Sequence, residues 1–273
     1  MRLINQQPGR AEKIVLGALP FIVLIVAYAI GSSLRLSENP NDKLLPSLNQ
    51  MAQTFYTFAF VADSRSGDYL LWTDTSASLG RLLTGIAISA MIAVGLGVPA
   101  GFIPRARSTL APFVAAISLI PPITVLPILF IVFGLGELSK VMLIVVGTAP
   151  VMVRALAQAT SEIPQEQIIK AATLGASTWQ MIVRVVLPQI MPRLITAIRL
   201  GLAPAWIFLI SAEAIASTDG LGYRIFLVRR YLAMDVILPY VAWITLIAFT
   251  LDRMLYLYSK RRHHWAHIEG GAL

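Results

Sequence analysis

The sequence of 273 residues contains no cysteine and only three histidines. Without cysteine the chain cannot form a disulfide, a thiolate metal site or a cysteine nucleophile. The histidines, His263, His264 and His267, all fall in the last eleven residues. A short polar tail of this kind is more often solvated than metal-bound, so we predict no metal site.

Charged side chains are also scarce. They make up 13% of the chain, whereas soluble domains carry about 25%. Hydrophobic residues make up 57% of the sequence, and the mean hydropathy is +0.73. This balance predicts an integral membrane protein. The net charge of +8 does not indicate a nucleic-acid partner, because the basic residues are dispersed between apolar runs rather than gathered on one face.

Six apolar runs are long enough to cross roughly 30 Å of hydrocarbon as helices. The predicted spans cover residues 14–32, 82–103, 110–133, 141–159, 194–212 and 236–258. They form one predicted all-α membrane domain, residues 14–259, between an N-terminal tail, 1–13, and a C-terminal tail, 260–273. The first span contains Ala27-Tyr28-Ala29, a form that a signal peptidase accepts, but we expect it to stay uncleaved because the apolar run continues past that point.

The distribution of basic residues predicts the orientation of the spans. With both termini in the cytoplasm, the cytoplasmic side holds fourteen of the 22 Lys and Arg residues. They are Arg2, Arg10, Lys13, Arg105, Arg107, Arg154, Lys170, Arg184, Arg193, Arg199, Arg253, Lys260, Arg261 and Arg262. The positive-inside rule therefore favours cytoplasmic termini and places the segment 161–188 in the cytoplasm.

Two patterns within the spans bear on helix packing. The second span has a small residue at every fourth position, which lets another helix approach closely. These residues are Gly85, Ser89, Ala93, Gly97 and Gly101. In the third span, Pro121, Pro122 and Pro127 should bend or break the helix. Such a segment is either a candidate wall of a translocation path or a kinked helix without that role.

Glu213, at the end of the fifth span, is the ionisable residue of greatest interest. It is predicted to line a gate, to pair with Arg224 or to bond a neighbouring backbone group. The turn that follows adds candidate path or gate residues, namely Asp219, Gly220, Gly222 and Tyr223. We expect no cluster of buried charges in the spans. No catalytic site is predicted, since no Ser/His/Asp or paired-carboxylate set can be assembled on one side of the membrane.

The segment 161–188, between the fourth and fifth spans, is too polar to lie within the membrane. Pro164 suits the first position of a helix, and Gly175 suits a left-handed C-cap at its end. Ser177 with Gln180 forms a capping-box pattern that starts a second helix. The pattern therefore predicts two helices joined by a sharp turn.

The second helix of this segment places apolar residues at helical spacing from Trp179 to Val186, with Arg184 to one side. Pro188 and Pro192 are expected to close the unit. A face of this kind suits the docking of a partner protein. An amphipathic connector lying on the membrane surface would show the same pattern.

This segment resembles the cytoplasmic coupling loop of the permease subunits of bacterial ATP-binding-cassette (ABC) importers. That pattern reads Glu-Ala-Ala, three residues, Gly, and an apolar run ending in Leu-Pro. The matching residues are Ala171, Ala172, Gly175, Ala176, Leu187 and Pro188. Lys170 replaces the Glu, which predicts a compensating acidic residue on the partner, or a local pair with Glu166 four residues earlier. We favour the local pair.

Further segments are similar to the branch of these permeases that serves nitrate, sulfonate, taurine and bicarbonate. They are Asn41-Asp-Lys-Leu-Leu-Pro-Ser47, the Pro-Pro of the third span, Phe133-Gly-Leu-Gly136, and Ala212-Glu213 with Asp219-Gly-Leu-Gly-Tyr223. The resemblance implies a type I importer fold in a bacterial inner membrane, working as a homodimer surrounded by lipid. It also implies alternating access driven by two cytoplasmic ATP-binding subunits and a periplasmic or lipid-anchored solute-binding protein.

Under this resemblance, the 165–188 segment couples the permease to ATPases that hold ATP and Mg²⁺. The chain itself has no phosphate-binding loop, so we predict no enzymatic activity for it. The implied cargo is a small oxyanion, with a guanidinium- or urea-like nitrogen compound as the alternative. An ion-coupled transporter would need carboxylates or histidines within the spans, which nearly lack them. A membrane enzyme would need a clustered catalytic set.

Overall fold

The computed structural model describes residues 9–40, 42–64 and 66–267, which contain helices and no strand. The helices are α1 Arg10–Glu38, α2 Leu48–Phe60, α3 Leu70–Phe102, α4 Pro104–Ile117, α5 Pro122–Phe133, α6 Glu137–Ser161, α7 Gln165–Thr173, α8 Thr178–Ala216, α9 Leu221–Arg229 and α10 Met234–Arg262. Five are long and apolar enough to cross a membrane, or six if the bent pair α4–α5 is one span. The predicted all-α membrane fold is confirmed. Asn41 of the family motif and the ends of both predicted tails lie outside the described residues.

The first of two compact units consists of the described residues before Leu70 together with Val228–Val241. Within it, the hydroxyl groups of Tyr28 and Ser32 both donate to the carbonyl oxygen of Pro46, at 2.7 and 3.2 Å. These bonds hold the segment before α2 against α1. No residue in the most apolar stretch of α1 is buried in the isolated chain, as suits a helix surface that meets lipid.

α2 is a helix within the polar segment between the first and second predicted spans. It begins with a capping box in which the Ser47 hydroxyl accepts from the Gln50 N–H at 3.2 Å, and the Gln50 side chain accepts from the Ser47 N–H at 2.8 Å. The Thr54 hydroxyl then donates to the carboxylate of Asp235 in α10 at 3.1 Å. The spacing of Ser47 and Gln50 is the local signal that predicts this helix.

The second compact unit consists of Leu70–Leu227 and the described residues from Ala242 onwards. α6 is its central helix, since it packs against α3, α4, α5 and α8. Leu143, Ile144 and Leu156 of α6 are fully buried. Burial on several sides places α6 at the centre of the unit, although Val151 of the same helix stays exposed.

The small-residue stripe of α3 faces α6. A Cβ atom on Gly97 would lie 2.8 Å from the carbonyl oxygen of Val153. The Ser89 and Thr148 hydroxyl groups are hydrogen-bonded at 2.8 Å, and Ala93 is fully buried. Small side chains therefore let the two backbones approach more closely than larger residues would permit.

We expect Gly101→Ala to destabilise the protein by about 1–3 kcal/mol, the usual cost of overpacking a tight contact. The new Cβ would lie 2.4 Å from the Thr160 Cβ and 2.5 Å from the Ala157 carbonyl oxygen. Gly95→Ala is the matched control, since nothing lies within 4 Å of its Cβ position. Thermal unfolding in detergent measures both variants, and equal midpoints would contradict the close approach of α3 and α6.

Prolines break the third predicted span. α4 ends at Ile117 and α5 begins at Pro122, with a bend of 95° between them. Pro121 is extended, and Pro122 takes the first helical position, where its missing N–H breaks no helical bond. Pro127 lies inside α5. The predicted break in this span is confirmed.

Two other prolines do not act as predicted. α8 continues through Pro188 and Pro192 and joins the second helix of the 161–188 segment to the following span. A π-helical turn, Ile182–Val186, lies immediately before Pro188. The wider π-helical turn relieves the contact between the ring of Pro188 and the carbonyl four residues earlier. The helix therefore continues past Pro188 instead of ending there.

Candidate functional site: a charged cluster and an exposed loop

Ten residues from four segments meet in one network, which we call the charged cluster. It comprises Asp74, Ser78, Arg81, Glu137, Lys140, Glu213, Ser217, Asp219, Gly222 and Arg224. They come from the N-terminal ends of α3 and α6, the C-terminal end of α8 with the turn that follows it, and the first turn of α9. The cluster therefore lies at the end of α6 and α8 that is opposite to the 161–188 segment.

Arg81 and Glu213 form the centre of the charged cluster. Their side chains are 5% and 0% exposed, and the Arg81 Nη1 to Glu213 Oε1 distance is 2.8 Å. Arg81 also donates to both carboxylate oxygens of Glu137, at 2.5 and 2.8 Å, and contacts the Asp219 carboxylate. Glu213 in turn accepts from the Ser78 hydroxyl at 2.8 Å. Buried charges of this kind are tolerated only when such partners replace the lost water.

The turn before α9 is bound to this centre through its backbone. The N–H groups of Gly220, Leu221 and Gly222 donate to Asp74, Ser78 and Glu213 at 3.0, 2.8 and 2.8 Å. Three successive donors are thus satisfied by buried side chains of α3 and α8. The turn is therefore held by the same groups that form the ion pairs.

The two glycines leave room for the Glu213 carboxylate. A Cβ on Gly220 would lie 2.6 Å from that carboxylate, and one on Gly222 would lie 2.9 Å from the backbone of Ile210. Gly220 also has φ +114°, which side chains disfavour. Tyr223 makes a separate contact, in which the Arg224 guanidinium lies 5.8 Å from the centroid of the Tyr223 ring. The sequence Gly-Leu-Gly is therefore a packing requirement of the cluster.

The cluster, which lies at the ends of the spans, corrects the expectation that the permease has no cluster of buried charges. Glu213 bonds a neighbouring backbone N–H, as one alternative held, but its ionic partner is Arg81 rather than Arg224. Arg224 pairs instead with Asp74 at 2.8 Å. Arg81 and Asp74 lie in a polar run before the second predicted span. Their spacing of seven residues puts them on one face of a helix, and this is the only sequence signal that both contribute to the same site.

The 161–188 segment folds into α7 and the beginning of α8, joined by a tight turn. Gly175 has φ +79°, its N–H donates to the Ala172 carbonyl at 3.0 Å, and the Ala176 N–H donates to the Ala171 carbonyl at 3.0 Å. The Ser177 hydroxyl accepts from the N–H three residues later at 3.3 Å. The predicted left-handed cap and capping box are confirmed.

The surface of this loop is unusually apolar for a segment outside the spans. Ile169, Leu174 and Trp179 are 59%, 87% and 71% exposed. Its charged residues, Glu166, Lys170 and Arg184, are exposed too, and the expected pair between the first two is not formed. Pro188 is exposed, whereas Leu187 is half-buried. Exposed apolar side chains on a rigid turn form a surface suited to a partner.

An apolar groove of about 320 Å³ lies where α4 and α5 meet beside α6 and α8. Its lining includes Pro122, Pro150 and Pro204, one from each of three helices. Pro121 and Pro127 are absent from the described lining. Only one of the three prolines proposed as a path wall therefore faces this groove.

Residues 77–264 match the family model described as the binding-protein-dependent transport system inner membrane component. This match covers most of the chain and includes the loop and every member of the charged cluster except Asp74. The chain belongs to this family. Members of this permease family act in ABC importers with ATP-binding subunits and a solute-binding protein. The multi-pass permease therefore belongs to the inner membrane.

Two relatives can be aligned with most of this chain. The taurine transport system permease protein of Escherichia coli strain K12 is 37% identical over 199 residues, covering 72% of each chain. The riboflavin transport system permease protein of Chloroflexus aurantiacus is 32% identical over 197 residues, covering 72% of this chain and 73% of that protein.

A solved structure shows the same fold. It is a bacterial ABC transporter involved in the import of the acidic polysaccharide alginate. The TM-score is 0.59 at 13% identity, over 91% of this chain and 96% of that one. The likeness concerns the type I importer fold alone.

Proposed function

We propose that this permease works as a homodimer that imports a small oxyanion-bearing solute by alternating access. Two ATP-binding subunits, which hold ATP and Mg²⁺ and carry out the hydrolysis, dock on the two coupling loops, residues 165–188. ATP binding moves these loops, and the spans reopen the path on the other side of the membrane. A periplasmic or lipid-anchored binding protein delivers the solute.

The exposed apolar surface of the loop is the observation that carries this proposal. Ile169, Leu174 and Trp179 are held on a capped turn, which limits the conformational entropy lost on docking. α8 runs without interruption from Thr178 to Ala216. A displacement of the loop would therefore act along one continuous helix, which contains a π-helical turn, over roughly 50 Å at 1.5 Å per residue toward the charged cluster.

Basic residues support a cytoplasmic loop with both termini on the same side. Arg184 and Arg193 lie on or beside the loop, and Lys260, Arg261 and Arg262 end α10. The charged cluster then lies toward the periplasm, where the binding protein docks. The positive-inside rule is the physical reason for this orientation.

The substrate proposal rests on the family branch and on the taurine permease as a relative. Taurine carries a sulfonate and riboflavin does not. The taurine permease is 37% identical to this chain, and the riboflavin permease is 32% identical. Similarity over 72% of the chain thus does not distinguish solutes. A guanidinium-like cargo is the alternative, and uptake by the reconstituted transporter distinguishes taurine from guanidinium.

We expect Leu174→Glu to lower the amount of ATPase that co-purifies with the permease by about tenfold, the effect of losing an apolar anchor at an interface. Leu174 is 87% exposed, so the substitution places no charge in the interior of the permease. Membrane insertion and purification yield should therefore not change. Affinity purification with quantitative mass spectrometry of the associated subunits measures the effect.

Leu48→Glu is the matched control for this experiment. Leu48 is 51% exposed at the start of α2 and lies outside the loop. It should leave ATPase recovery unchanged. A permease that purifies without an ATPase even as wild type, yet moves solute without ATP, would support the ion-coupled transporter instead.

A further inference from the structure

A second groove, which we call the basic groove, lies between α4 and α6 and has a volume of about 470 Å³. Arg107 of α4 and Arg154 of α6 both line it, among small and apolar side chains. No acidic side chain is present in its described lining. The basic groove is therefore positively charged on both of its walls.

Arg154 lies within the predicted fourth span, residues 141–159, and not in the loop that follows it. It lies seven residues before the end of α6 at Ser161, which corresponds to about 10 Å along the helix. Its side chain is exposed to the groove, and no described residue pairs with it. Charged residues within a span are costly, so an unpaired one marks a site for a counter-ion or a solute path.

Two other arginines within the spans of this unit have a carboxylate partner, whereas Arg253 of α10 instead contacts the Tyr256 ring, with its guanidinium 5.2 Å from the ring centroid. Arg81 bonds Glu213, and Arg199 bonds both carboxylate oxygens of Asp252 at 2.7 and 3.0 Å. Arg154 has no carboxylate partner among the described residues, although Glu162 is close in sequence. Glu162 is engaged elsewhere, by the Gln158 amide at 3.1 Å and by Arg193 at 3.7 Å.

Arg107 is oriented by the backbone of α3. Its Nε donates to the Ala100 carbonyl at 3.2 Å, and its Nη2 donates to the Gly101 carbonyl at 2.5 Å. These bonds hold the guanidinium near the helix end and leave Nη1 without a described protein acceptor. A guanidinium held in this way can offer donors to a tetrahedral oxyanion at little further entropy cost.

The basic groove continues the apolar groove along the same helices. On α6, Gly147 and Val151 line the apolar groove, while Arg154 and Gln158 line the basic one. Spacings of four, three and four residues place all four on one helix face. Together they form a track of roughly 16 Å, since eleven residues of helix rise by that distance.

We propose that Arg154 and Arg107 form an oxyanion site in this track, where the sulfonate-like headgroup of the solute pauses on its way to the cytoplasmic end. The inference rests on the proposed function for the direction of transport, but not for the chemistry of the site. Two arginines and no carboxylate favour an anionic headgroup and disfavour a guanidinium. The same chemistry would accept a phospholipid phosphate, which is the other possible source of the oxyanion.

The test measures binding of radiolabelled methanesulfonate to the permease as it purifies from its membrane, with whatever subunits accompany it, in phosphatidylcholine nanodiscs. We expect saturable binding, weakened about tenfold or more by Arg154→Gln and by Arg107→Gln, because each loses a charge-assisted hydrogen bond. Guanidinium chloride should not compete. Arg105→Gln is the matched control, since Arg105 is exposed at the same end of α4 and does not line the groove.

A second arm uses nanodiscs that contain phosphatidylglycerol, with native mass spectrometry to count retained lipids. Retention that depends on Arg154, without methanesulfonate binding, would support the oxyanion site and identify membrane phosphate as its occupant. The proposal is overturned if neither anion depends on Arg154, or if Arg105→Gln weakens binding as much. Loss of the ATPase during purification would count against the coupling proposal only, because anion binding is read on the permease itself.

Discussion

Replacing Arg81 with Met is expected to lower the free energy of unfolding by about 3–5 kcal/mol, the range seen when one partner of a buried ion pair is removed. The Glu213 carboxylate is 0% exposed and would keep only the Ser78 hydroxyl and the Gly222 N–H as described partners. Its charge would then be buried without a cation. Glu137 and Asp219 would lose the same partner.

Denaturant or thermal unfolding of the detergent-solubilised permease measures this loss. Arg193→Met is the matched control, because Arg193 and its partner Glu162 are 68% and 50% exposed and lie outside the charged cluster. Exposed pairs contribute about 0–1 kcal/mol, so the control should unfold close to the wild type. Equal losses in the two variants would show that the Arg81 pair is no more stabilising than a surface pair.

A double variant separates the ion pair from the packing of the arginine side chain. Glu213→Gln removes the charge, and a glutamine amide oxygen can still accept from Ser78 and Gly222. If the cost of Arg81→Met arises from an uncompensated carboxylate, adding Glu213→Gln should recover part of the lost stability. A purely additive result would assign the cost to lost packing instead.

Gly175→Val is expected to lower solute uptake per ATP hydrolysed by about tenfold while the spans stay inserted. Gly175 has φ +79°, and this conformation costs an L-residue about 1–2 kcal/mol, more for a branched side chain. Relief of that strain would change the turn between α7 and α8. The surface formed by Ile169, Leu174 and Trp179 would then no longer be presented as one face.

Uptake and ATPase activity of the reconstituted transporter, measured on the same preparation, give the coupling ratio. Gly17→Val is the matched control, because Gly17 lies within α1, has no positive φ and has nothing within 4 Å of its Cβ position. It should retain the wild-type ratio. An unchanged ratio in Gly175→Val would argue that the loop does not transmit motion.

The sequence by itself determined the features that depend on neighbours a few positions apart. The apolar runs predicted a membrane protein, and the segment from Ala171 to Pro188 indicated the family. Gly175 and the pair Ser177–Gln180 predicted the turn correctly, because caps involve backbone groups within one helical turn. Ser47 and Gln50 form the same kind of local pattern at the start of α2.

The tertiary structure decided the features that depend on distant partners. Arg81 could have been a surface charge, and only the packing of α3 against α8 brings it to Glu213, 132 positions later in the sequence. Likewise, Pro121 breaks a span, while Pro192 is tolerated inside α8. A proline or a charge has the same intrinsic chemistry wherever it occurs. Its effect differs because long-range packing determines which backbone groups and counter-charges surround it.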